Sequence, residues 1–244
     1  MERIVIVSTN NNPDYYFYSP YIKKAWNSYG WKVCVLITDD VDPANVVGDY
    51  VIKFPSFEGI RQETVAQASR LYAANFLPED ALLMTSDMDL LPLSDYWHPD
   101  PNHITNFGFD LTDYTFFPMG YTAMTGANWK RIMNLTGNTQ ADMLRDFNDE
   151  TVPHSPKSDN WETWWNYDWS LLSRNLRKVE SEVVKVLRGR RADSPFAFGR
   201  IDRGDSMKII PKPWIDAHCE NVNVKHPVKL EPFLTLFNEV YGQI

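Results

Sequence analysis

Apolar residues along the chain alternate between short β-branched runs and stretches with helical spacing. Residues 3–8 (RIVIVS) are such a run, closed by the polar cluster 9–12 and Pro13, which predicts a buried strand followed by a loop. Residues 20–29 repeat apolar positions at helical spacing (Tyr21, Ala25, Trp26, Tyr29), with Ser19 as the expected N-cap, Pro20 in the first turn and Gly30 as the stop. Strands are predicted at 31–38, ending in Asp39 and Asp40, and at 50–54, stopped by Pro55. A partly periodic helix follows over 60–76. Residues 81–85 (ALLMT) form a continuous apolar run of the kind a central strand covered on both faces requires. This order of strands and helices predicts an α/β fold, a Rossmann-like, mostly parallel central sheet with flanking helices.

The pattern changes after Leu91. Pro92, Pro99 and Pro101 punctuate a loop, and the segments 103–109 and 114–124 read as strands. A helix is expected at 127–135, a polar, acidic excursion at 137–157 and a mainly helical stretch at 161–186. Short strands follow at 194–200 and 207–210, and a last helix lies within 227–241. No repeat or long polar linker divides the chain. The expectation is one domain over 1–244, with an α/β half at 1–91 and a mixed half at 92–244.

Composition narrows the classes. Hydrophobic residues make up 43% and charged residues 23%, enough for a real core and unlike disordered or fibrous chains. A formal net charge of −8 argues against a nucleic-acid partner, which needs a basic face; a polyanion held locally through a metal ion remains open. No apolar run reaches the roughly 18 residues of a transmembrane segment. The apolar start is too short for a signal peptide, and the two cysteines, Cys34 and Cys219, suit a reducing compartment, so a cytoplasmic location is expected. Nine Trp and twelve Tyr can fill a core; they are also what a carbohydrate site uses, because a sugar ring stacks on an aromatic plane. Oligomeric state leaves no trace in the sequence.

The most informative residues are Ser86-Asp87-Met88-Asp89, directly after the buried run ALLMT. In an extended segment, residues i and i+2 point to one side, so Asp87 and Asp89 would present two carboxylates at the carboxyl end of a central strand, where open α/β sheets hold ligands. A hard divalent cation between them relieves their repulsion and can bridge to a diphosphate. Two turn or cap aspartates are the plainer alternative.

Here the chain resembles a known group. ALLMTSDMDLLPLSD, some way into a chain that opens with RIVIVSTN, is similar to the DxD segment of GT-A fold glycosyltransferases. The size, the DxD and a late histidine also resemble the small glycosyltransferases of large algal viruses. The resemblance implies a hexosyl- or pentosyltransferase that moves a sugar from a nucleotide-sugar donor, UDP rather than GDP, to a glycan acceptor. It implies Mn2+ or Mg2+ on Asp87 and Asp89, with Asp89 the firmer ligand and Asp87 shared with the ribose. The halves then become nucleotide-binding (1–91) and acceptor-binding (92–244).

Further candidates follow from position. Loops after the first two strands would wall the nucleotide with Ser8, Thr9, Asn10, Asp39 and Asp40, and Ser86 adjoins the acid pair. Arg70, on the helix before the DxD strand, resembles the arginine many GT-A enzymes carry near the donor sugar; a solvated helix face is its alternative role, and Arg61 is a weaker candidate. The resemblance favours His218 in PWIDAHC as a metal or phosphate contact, with His226 as competitor. Asp168, set among Trp164, Trp165, Tyr167 and Trp169 at a helix start, reads either as a first-turn acid or as a base of raised pKa for an inverting transfer; Glu162 is the alternate. Trp161, Trp164, Trp165 and Gly126 are the acceptor-side candidates. Two other classes compete: a sugar-phosphate nucleotidyltransferase, for which STNNNPDYY lacks the glycine-rich phosphate loop, and a non-catalytic carbohydrate-binding protein, which leaves the paired acids unexplained.

Overall fold

Strand alternation divides the core into two clusters, one on each face of a central sheet. In β1 (Arg3–Thr9), Ile4 and Ile6 face one core cluster and Val5 and Val7 the other, all essentially inaccessible to solvent. The computed structural model describes residues 1–112, 115–187, 200–201, 214–219 and 227–244. After β1 come α1 (Pro13–Tyr16), α2 (Ser19–Ser28), β2 (Lys32–Ile37), β3 (Tyr50–Lys53) and α3 (Gln62–Ser69), which runs into a 3-10 helix, Arg70–Asn75. Then follow β4 (Leu82–Thr85), β5 (Leu90–Pro92), β6 (Ile104–Phe107), β7 (Thr122–Thr125), α4 (Gly126–Met133), α5 (Thr139–Phe147), α6 (Trp161–Trp165) and α7 (Tyr167–Arg177). The last elements are β8 (Val183–Val186), β9 (Arg200–Ile201), β10 (Asp216–His218) and α8 (Pro227–Tyr241).

The main sheet has seven strands in the order β3-β2-β1-β4-β7-β6-β8, parallel except for the pairings of β7. Helices α3, α4, α5 and α7 contribute Val65, Trp129, Met143 and Leu171 to the cluster on one face; α2 and α8 contribute Trp26, Phe233 and Phe237 to the other. The chain winds from β1 outward to β3, then returns to lay β4 on the other side of β1. That reversal opens a crevice between the carboxyl ends of β1 and β4. A second, three-stranded sheet, β5-β10-β9, stands beside it. Among the described residues no helix is long and apolar enough to cross a membrane.

Several elements differ from their sequence expectation. The helix expected over 60–76 changes to 3-10 at Arg70, where Ser69 Oγ donates to Ala66 O at 2.6 Å and competes for a carbonyl the α ladder would use. The strand expected at 114–124 shrinks to β7, because Pro118, Gly120 and the positive φ of Tyr121 (105°) break extended pairing. The excursion at 137–157 holds α5, capped by Asn138, whose buried Asp142 and Asp146 bond Arg145, Tyr72 and Thr136. Its acids face inward, so the polar pattern misleads. The stretch 161–186 is α-helical only to Arg177; a 3-10 turn at Glu180–Glu182 follows, and the β-branched run Val183–Val186 pairs parallel with β6 instead. Apart from Arg200 at the start of β9, the strands expected at 194–200 and 207–210 lie outside the described residues, as does His226.

Candidate active site

A cleft of about 240 Å³ opens at the crevice between β1 and β4. Ser8, Thr9 and Asn10 line it from the end of β1, Tyr15 from α1, and Asp87 and Asp89 from the segment after β4. Arg70 and Gln67 line it from the α3 side, Trp165 and Trp169 from α6 and α7, and His218 from β10.

The acid pair reaches the cleft through a turn, not an extended segment: Leu90 N donates to Asp87 O at 3.1 Å. This corrects the expected i, i+2 geometry, though both carboxylates still line the same cleft. Asp87 is partly exposed and Asp89 nearly buried. Gly120 makes room for Asp87, since a Cβ there would stand 3.0 Å from Asp87 Oδ2 and 3.2 Å from Leu90 Cδ1.

The late histidine arrives by strand pairing. β10 runs antiparallel to β5 with His218 opposite Leu90, and Cys219 N donates to Asp89 O at 2.8 Å. His218 Nε2 then stands 3.5 Å from Asp89 Oδ2. Tyr121 anchors this arrangement: its hydroxyl donates to the buried Asp216 at 2.7 Å and its ring stacks on Trp97 at 3.8 Å between centroids. That double hold explains why a buried tyrosine tolerates a positive φ.

Arg70, 4% exposed, organises the floor. Its guanidinium donates to Gln67 O, to Ser86 O at 2.9 Å, to Asp87 and to Asp168 Oδ2 at 2.8 Å, so all but one of its N–H groups are engaged. Burial works against its charge, but Asp87 and Asp168 outweigh that and hold its pKa above the usual value. Asp168 is 1% exposed in the first turn of α7, and burial pushes its carboxyl up to about 6 against the pull of Arg70, with Asp87 adding repulsion. Asp168 does not line the cleft. A general base must come within about 2.6–3.2 Å of the proton it takes, and Asp168 instead sits behind Arg70. Its geometry is that of a positioning residue for the guanidinium.

The other candidates divide. Ser86 is buried beneath the cleft and holds Arg70 through its carbonyl. Asp39 is exposed, pairs with Lys53 at 3.3 Å and lies off the cleft lining. Gly126 also lies off it: a Cβ there would meet Pro78 O at 2.4 Å, so close packing requires the glycine. Trp161 and Trp164 sit on α6 outside the lining, while Trp165 belongs to it. Tyr15 and Trp169 also line the cleft, and nothing in their sequence spacing marks them; an aromatic residue closely following the first strand is the one signal for Tyr15.

The donor set can be weighed for a divalent cation. Ligands bonded at about 2.1 Å to one ion, at right angles or somewhat wider, stand about 3.0–3.5 Å apart. Asp89 and His218 meet that spacing, and carboxylate with imidazole suits Mn2+. Asp87 is drawn toward Arg70, and among the described residues no three His, Cys, Asp or Glu side chains are gathered into one metal-binding group.

No family model matches the chain, and no curated protein matches it in sequence. Solved structures do. The galactosyltransferase LgtC, in complex with donor and acceptor sugar analogues, overlaps with a TM-score of 0.55 at 13% identity, over 98% of this chain and 95% of that one. An active-site mutant of LgtC overlaps with a TM-score of 0.53 at 12% identity, over the same shares of the two chains. The glycosyltransferase GlyE of Streptococcus pneumoniae TIGR4 overlaps more loosely, with a TM-score of 0.45 at 14% identity, over 76% of this chain and 45% of that one. The α/β architecture described above is that of the GT-A glycosyltransferase fold.

Proposed function

We propose that this protein is a metal-dependent glycosyltransferase that moves a sugar from a nucleotide-diphosphate sugar, UDP-linked in preference to GDP-linked, to a hydroxyl of a glycan. One observation carries the reading: Asp87, Asp89 and His218, distant in sequence, line the same cleft at the switch point of a GT-A sheet. Thr9 and Asn10 supply polar groups for the base and ribose, and Tyr15 an aromatic plane for the base. Asp89 and His218 would hold Mn2+ or Mg2+, with Asp87 shared between the metal and the donor. A bound cation would neutralise charge developing on the departing diphosphate.

The protein's own groups do the rest. Arg70 sets Asp87 and keeps a positive charge at the floor where a phosphate or donor sugar lies, and Asp168 fixes Arg70 from behind. Buried behind Arg70 and off the cleft lining, Asp168 is read as the residue that positions the guanidinium rather than as the base. We also read residues 1–244 as one catalytic domain, since β4 pairs with β7 and one core cluster draws on both halves.

Thermal denaturation tests the reading. UDP with Mn2+ raises the melting temperature more than either alone, and a panel of nucleotide sugars reveals one that is hydrolysed only with Mn2+. No joint stabilisation by UDP or GDP, and no metal-dependent hydrolysis, would overturn it.

A further inference from the structure

Trp161 is 62% exposed and Trp165 39% exposed, whereas the other tryptophans among the described residues are buried or half-buried. Both sit on α6, four residues apart and so on one face, about 6 Å apart along the axis. Trp165 lines the cleft; Trp161 continues the same face one turn farther out.

The helix carrying them is fixed. Asn160 caps it by accepting from Glu162 N at 3.0 Å. The intervening Trp164 is half-buried, with Arg61 at the start of α3 5.5 Å from its ring centroid, and it meets Trp165 edge-on at 5.7 Å between centroids. With Trp164 set against Arg61, Trp161 and Trp165 form an aromatic strip running out of the cleft.

Chemistry around the strip selects its occupant. Glu63 lines the cleft, Glu162 is exposed between the tryptophans, and Asp159 before them is exposed and stands 3.8 Å from Arg61, which leaves a net negative charge beside the strip. Carboxylates beside aromatic planes suit sugar rings, whose C–H faces stack while their hydroxyls donate to the acids. The same acids repel an anionic membrane or a negatively charged glycan. We infer that the acceptor is an uncharged oligosaccharide of at least two sugar units, its reacting ring on Trp165 and its next ring on Trp161. The inference rests on the glycosyltransferase reading and specifies the acceptor for that site.

The test compares methyl monosaccharides with the corresponding neutral disaccharides as acceptors. The readout is the ratio of their kcat/KM values. A second stacked ring raises the wild-type ratio to about tenfold, and Trp161→Ala brings it close to one, mainly through KM, whereas Trp161→Phe keeps most of it. In parallel, protein labelled with 5-fluorotryptophan is titrated with the same sugars and with phosphatidylglycerol vesicles; the Trp161 resonance moves with disaccharide and stays put with monosaccharide or vesicles. A wild-type ratio near one, a ratio unchanged in Trp161→Ala, or a resonance that answers to vesicles would overturn the inference. Mn2+-dependent donor hydrolysis, measured on the same preparation without acceptor, separates the failures. If hydrolysis persists while the ratio is flat, only the acceptor assignment falls; if no nucleotide sugar is bound or hydrolysed, the enzyme reading falls and takes this inference with it.

Discussion

Asp168→Asn probes the electrostatics beneath the cleft. The carboxyl is buried and its pKa stands at about 6, against 3.8 for a free side chain. A folded-state pKa above the unfolded one means that the native protein binds more protons through this window. Stability from this group is therefore greatest at low pH and is lost as pH rises through about 6. Between about pH 5 and pH 7.5 the shift corresponds to a loss of stability on the order of 1 kcal/mol, a few degrees in Tm for a chain of this size. Asparagine resembles the protonated acid and does not titrate. Wild type and variant should thus differ least at the acid end, and the variant should gain on wild type by that amount at pH 7.5. Urea denaturation of both proteins at the two pH values measures the difference, and titrations elsewhere cancel. The kinetic companion is the acid limb of kcat: it should lie near pH 6 in wild type and vanish in Asp168→Asn, with activity reduced by less than the 10²–10⁴-fold or so expected for loss of a general base. A stability difference independent of pH, or one that moves toward the wild type as pH rises, would refute the electrostatic reasoning. A loss of several thousand-fold in kcat would restore the base assignment.

Three further substitutions separate the site's parts. Gly120→Ala should leave Tm within about 1–2 °C of wild type, because the nearest atoms belong to side-chain ends, yet weaken Mn2+-dependent UDP binding by pushing Asp87 aside; calorimetric titration checks this. Tyr15→Ala should cost about tenfold in UDP affinity and little in Mn2+ affinity if the ring packs on the base. Arg70→Lys cannot reproduce the fork that joins Asp87, Asp168 and Ser86, so kcat should fall at least about tenfold while the charge is retained; near-normal turnover would remove Arg70 from the site.

The first half of the chain was largely legible because its strands are continuous apolar runs and its acids follow one directly. Thr9, Asn10, Arg70, Asp87 and Asp89 all line the cleft. His218 lines the cleft, but the reason for its position is not legible: β5 is three residues ending in a proline, with no pattern of its own, and its pairing with β10 brings the histidine to Asp89. Asp168 illustrates the opposite difficulty. The surrounding tryptophans announced burial, yet sequence cannot say that Arg70 would come from 98 residues away to lie between the acid and the cleft. Asp39 and Gly126 misled because a polar loop and a glycine look alike whether they meet a ligand, a lysine or a backbone carbonyl. The acidic pattern around α5 likewise hides an inward-facing network, because periodicity does not record where an arginine points.

The most direct measurement is anomalous diffraction from crystals grown with MnCl2 and UDP. The account predicts a manganese peak within about 2.2 Å of both Asp89 and His218, with the diphosphate completing its coordination over Arg70. Manganese bound elsewhere, or a nucleotide seated in the cleft with neither side chain near a metal, would contradict it.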